Sequence, residues 1–73
     1  MKYDQNYKDW KKGDKIVVKQ GDKTTLFGVL LEDVQYVSTH SMGCFTAKIR
    51  RPDGTISSPI LNMTYLYRVK EDD

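Results

Sequence analysis

The chain has a single cysteine, two prolines and no apolar run longer than three residues. One thiol excludes an intrachain disulfide and a cysteine-based zinc site. It also fits a reducing, cytoplasmic setting better than a secreted one. Two prolines exclude a collagen-like or proline-rich chain. The longest apolar runs, such as Val29-Leu30-Leu31, fall far short of the roughly 20 residues of a membrane-spanning helix. Strong charge of either sign is missing too. Twelve Lys and Arg against ten Asp and Glu leave +2, which excludes an acidic nucleic-acid mimic and does not require a nucleic-acid partner. The opening Met-Lys-Tyr-Asp-Gln-Asn-Tyr has no apolar stretch, so no signal peptide is expected.

What is present is an ordinary globular balance: 38% hydrophobic and 11% aromatic over 73 residues. That is too apolar for a disordered chain and allows one small domain. Such a chain buries only about 60% of its unfolded surface, which leaves little core to wall off a deep active site. Charge is uneven along it. Residues 1–23 carry seven Lys and four Asp, a net +3; residues 24–47 carry only Glu32 and Asp33, a net −2. Residues 48–73 return to +1, with an acidic end at Glu71-Asp72-Asp73.

Tyr3, Tyr7 and Trp10 fall at i, i+4 and i+7, the spacing of one helical face. The segment is too short to be helical unless docked. It is therefore a short N-terminal arm, helical or extended, ending at Gly13. From Lys15 the period becomes two. Ile16 and Val18 alternate with Lys15, Val17 and Lys19, followed by a turn at Gln20-Gly21-Asp22-Lys23. Leu26 to Val37 is a long β-rich run. Phe27, Val29 and Leu31 share one face, and a change of phase at Glu32-Asp33 signals a bulge or bend. Cys44 to Arg51 reads as one strand with Phe45, Ala47 and Ile49 inward. Pro52-Asp53-Gly54-Thr55 is the strongest turn signal and closes a hairpin onto Ile56–Ile60. Pro59 marks that partner as an edge or a strand end. Leu61-Asn62-Met63-Thr64 suits one 3₁₀ turn, and Tyr65 to Lys70 a last strand.

Five short strands with turns every 8–12 residues read as an all-β fold, a small five-stranded barrel. Gly13-Asp14-Lys15-Ile16-Val17-Val18-Lys19-Gln20-Gly21, followed by Gly28-Val29-Leu30, resembles the opening of a KOW- or Tudor-type SH3-like barrel. The order of Pro-Asp-Gly hairpin, strand, 3₁₀ turn and last strand resembles the same fold, and the resemblance spans residues 10–70. The expected division is an arm over 1–12, a barrel over 13–70 and an acidic tail over 71–73. Small chains of this style also resemble proteins encoded by phages and other mobile elements.

Two binding readings follow, and neither calls for a cofactor or a metal. In the first, the chain binds and modulates a host protein through Tyr36, His40, Met42, Phe45 and Tyr65, around the polar Ser38–Gly43 loop. In the second, Lys15, Lys19, Lys48, Arg50, Arg68 and Lys70 fall on polar strand parities and form a basic stripe for DNA or RNA. Tyr36, Phe45, Tyr65 or Tyr67 would stack bases beside it. The bland counterparts are solvated strand faces for the cations and a lid over the core for Tyr3, Tyr7 and Trp10. His40, Ser41 and Cys44 share a loop, but nothing in their spacing supplies a triad, so the reading is non-enzymatic. An exposed edge near Ser57–Ile60 offers a route to a homodimer.

Overall fold

The computed structural model describes residues 2–38 and 42–70. These described residues form an all-β fold, with eight strands and two 3₁₀ turns. The strands are β1 (Lys2–Asp4), β2 (Lys15–Gln20), β3 (Lys23–Leu30), β4 (Gln35–Ser38), β5 (Gly43–Thr46), β6 (Ile49–Arg50), β7 (Ile56–Ser57) and β8 (Leu66–Lys70). They form an antiparallel six-stranded sheet ordered β1-β8-β2-β3-β6-β7 and a separate β4-β5 pair. This differs from the expected closed barrel of five strands. The six-stranded sheet is open, with β1 and β7 at its two ends among the described residues.

Local chemistry sets the hairpins. Gly21, at φ 59°, takes the first central position of a two-residue turn and lets Gln20 face Lys23. Gly54, at φ 90°, closes the second turn, where Gly54 N–H donates to Arg51 O and Arg51 N–H to Thr55 O. The Asp53 carboxylate locks that loop by accepting from both the N–H and the hydroxyl of Thr55.

Two of the three extra strands come from breaks in runs that look continuous, and the third is β1 in the N-terminal arm. Leu31–Val34 separates β3 from β4, as the phase change at Glu32-Asp33 predicts. The expected strand Cys44–Arg51 splits at Ala47-Lys48, because its first half pairs with β4 and its second half with β3 and β7. Its inward parity survives the break, since Ala47 and Ile49 are buried.

The core gathers Trp10, Ile16, Leu30, Ala47, Ile49, Leu61 and Leu66, ringed by Tyr7, Val18, Phe27, Val34 and Phe45. Cross-strand partners share a face of a sheet. Ile16 opposes Gly28 and Arg68, Val18 opposes Leu66, and Leu30 opposes Ile49, so this parity is the inner face. Gly28 and Leu30 therefore lie on the inner face, and Phe27, Val29 and Leu31, expected to share one face, do not stay together. Val29 points to the other side, opposite Lys15 and Arg50. Phe27 reaches the core because it is the extra residue of a bulge, where the register jumps from Ile16–Gly28 to Val17–Leu26.

The N-terminal segment is extended. β1 pairs with β8, and one 3₁₀ turn at Tyr7–Asp9 carries Trp10 under the sheet. Strand pairing satisfies the backbone of a segment too short to hold a helix. Its three aromatics consequently separate. Tyr7 and Trp10 face the core with rings 5.1 Å apart, and Tyr7 donates to Leu61 O. Tyr3 lies on the opposite face, opposite Val69. Among the described residues no helix is long and apolar enough to cross a membrane.

Candidate binding face of the sheet

The outer face of the six-stranded sheet is unusual in being apolar and basic together. One row runs across four strands: Lys15 opposes Val29, Val29 opposes Arg50, and Arg50 opposes Ile56. A second row sets Tyr67 and Leu26 on either side of Val17. Val17 is 6% exposed yet stands outside the core cluster, so its cover comes from this outer row.

Lys19 organises the near corner. Its Nζ lies 4.5 Å from the Tyr3 ring centroid and 5.5 Å from that of Tyr67. An ammonium over two rings is held by their negative faces and keeps its charge at the surface. Tyr65 continues the parity of Tyr67. Its carbonyl accepts from Lys19 N–H, and its side chain is 66% exposed. No Asp or Glu occupies any of the outer-row positions on β1, β8, β2, β3, β6 or β7. Among the described residues, Lys15, Lys19 and Arg50 thus share an outer strand face that carries three tyrosines and no Asp or Glu.

The expected basic stripe divides. Lys15, Lys19 and Arg50 share the outer face. Lys48 sits at the corner between β5 and β6. Arg68 and Lys70 belong to the inner parity, since Arg68 opposes Ile16 and Asp4 while Lys70 opposes Lys2. Arg68 is fully engaged. Nε and Nη2 donate to Asp4 Oδ2, and Nη1 donates to Asp9 O and lies 3.5 Å from Asp14 Oδ2. Burial lowers its proton affinity, but the Asp4 carboxylate outweighs this and holds the guanidinium above its ordinary pKa. A cavity of about 350 Å³ opens beside it, lined by Gly13, Asp14, Lys15, Arg68, Val69 and Lys70.

The residues of the first reading also separate. Tyr65 joins the outer face. Tyr36 is exposed on β4, and Met42 is exposed just before β5. Phe45 is half-buried between Tyr7 and Tyr36, at ring distances of 5.5 and 5.1 Å. His40 lies outside the described residues, as do Ser41 and the acidic tail 71–73. Among the described residues, no three His, Cys, Asp or Glu side chains come together as a metal-binding group.

Parity reading along each strand found Lys15, Lys19 and Arg50. It placed Val17 with Lys15 and Lys19 but missed the rest of the outer apolar row, because Leu26 and Val29 look like core residues in sequence. No family model, no characterised protein and no solved structure matches this chain, so the reading of this face rests on its own geometry.

Proposed function

We propose that this chain is a non-enzymatic binding module of SH3-like architecture that takes single-stranded nucleic acid on the outer face of its sheet. The strand order β8-β2-β3-β6-β7, with a tight hairpin and a 3₁₀ turn before the last strand, supports the architecture. The function rests on one observation: Lys19 lies over the rings of Tyr3 and Tyr67 on a face that also carries Lys15, Arg50 and exposed Tyr65 and, among the described residues, no Asp or Glu at an outer strand position. Bases stack on aromatic rings irrespective of sequence, while nearby cations take the phosphates. A host-protein partner, the first expectation from sequence, has its chosen residues spread over two surfaces. It fits this geometry less well.

The test is a titration of labelled protein with short single-stranded and duplex oligonucleotides at several salt concentrations. Three cations engaging single-strand phosphates predict a log–log slope of about −2, at roughly 0.7 per phosphate. Amide shifts should cluster on β2, β8 and Arg50. No binding at low salt, or shifts confined to β4-β5, would defeat the reading and return the search to protein partners.

A further inference from the structure

From Val34 to Ala47 the chain has no Asp, Glu, Lys or Arg, although such residues make up 30% of the whole. This uncharged stretch contains β4 and β5, and every residue of β4 is exposed. Tyr36 is 61% exposed and Val37 46%. Free sheet edges are usually guarded by charge, proline or shortness. The edge at β1 carries Lys2 and Asp4. The edge at β7, which overlaps the Ser57–Ile60 stretch expected as a dimer edge, is two residues long and is followed by Pro59. The outer side of β5 is occupied: Asn62 accepts from Phe45 N–H and donates to Gly43 O, and Thr46 bridges to Ile60. β4 has none of these guards, and among the described residues it pairs with β5 alone.

The pairing direction follows from Asn62. Gly43 O and Phe45 N–H turn toward it, so the backbone groups of Cys44 turn toward β4, and with them those of its partner Val37 turn toward β5. By alternation, the N–H and C=O of Tyr36 and Ser38 point outward.

We propose that β4 pairs with β4 of a second copy of this chain, antiparallel about a twofold axis, joining two β4-β5 pairs into one four-stranded sheet. Using the outward groups of Tyr36 and Ser38 sets Val37 opposite the same residue of the second copy. A neutral strand meets its own copy without like-charge repulsion, and it offers nothing to a partner that selects by charge. Isologous contact of this kind is the commonest form of self-association. With four residues a side the contact is small, so the dimer is weak and concentration-dependent.

Sedimentation equilibrium from about 10 μM to about 1 mM tests this, a range that covers weak association. The wild type should pass from monomer toward dimer. Val37→Lys and Val37→Glu should each stay monomeric, because like charges then face each other at the axis. An equimolar mixture of the two should dimerise. Circular dichroism and Trp10 fluorescence check folding. If the Val37 variants fail to fold, Ser38→Pro removes one outward donor without touching the β4-β5 ladder and should also abolish the dimer. A wild type monomeric throughout, a dimer that survives in folded Val37→Lys or Ser38→Pro, or a mixture that stays monomeric would each overturn the proposal.

Discussion

Arg68, near the end of the chain, holds Asp4, near its start, through two hydrogen bonds of 3.2 and 2.8 Å to one carboxylate oxygen. The other oxygen accepts from Trp10 Nε1 and Asn6 N–H. The two side chains are only 12% and 17% exposed. This pair ties β1 to β8 and fixes the indole that fills the core.

Removing either partner leaves a largely desolvated charge behind, which costs more than the pair contributes when intact. Asp4→Ala also strands Trp10 Nε1. It should lower stability by about 2 kcal/mol, the scale of lost hydrogen bonds to a charged group. Urea unfolding followed by Trp10 fluorescence reads this, with a melting point lower by roughly 10 °C. Substituting Lys48, which is exposed at a corner, should leave both values nearly unchanged.

The same pair sets an acid limit. Burial pushes the Asp4 carboxyl up, but the bonds from Arg68, Asn6 and Trp10 outweigh it and hold it below its ordinary 3.8. The unfolded chain therefore binds this proton more tightly than the folded one. The stabilisation is present above pH 3.8 and lost as pH falls below it toward the folded value. The urea midpoint should drop between pH 6 and pH 3, and less steeply in Asp4→Asn. A residual slope is expected from Asp53, which the bonds from Thr55 hold low in the same direction.

Gly28 and Gly43 should answer differently to alanine. A Cβ at Gly28 would meet the Arg50 carbonyl and, at 2.6 Å, Ile49 Cγ2, both held by the β3-β6 pairing. The strands must part, so Gly28→Ala should cost about 1–3 kcal/mol, the range for overpacking. At Gly43 the obstacle is the Tyr36 ring, an exposed side chain that can turn aside. Gly43→Ala should cost clearly less in the same unfolding assay.

On the outer face, the aromatic and cationic contributions should separate by salt. Lys19→Ala should weaken single-strand binding and reduce the salt slope by about 0.7, one phosphate contact. Tyr65→Ala should weaken binding by about 1–3 kcal/mol, the worth of one stacked base, with the slope unchanged. Arg68 and Asp4 should register in unfolding, with no separate effect on the slope.

The turns and the strand content were legible because they depend on near neighbours. Gly21, Pro52-Asp53-Gly54 and the 3₁₀ turn at Leu61 act within a few residues, and a period of two is a property of one strand. The bend after Leu30 was legible for the same reason. Strand parity also placed Lys15, Lys19 and Arg50 together, half of the candidate face. It failed at Arg68, because alternation says that neighbours diverge and leaves open which side is buried when both parities carry apolar residues.

Sequence by itself thus determined the class of this protein, its hairpins and the inward positions of Ile16, Ala47 and Ile49. Only the tertiary structure decided that Tyr3 leaves Tyr7 and Trp10 for the other face, and that Phe27 bulges inward. It also decided that Val17 is covered from outside and that Arg68 is consumed by Asp4. Each of these depends on register between strands far apart in the chain, up to the 64 residues that separate Asp4 from Arg68. Register is set by the joint burial of many side chains and by pairing of backbone groups, so no local pattern carries it.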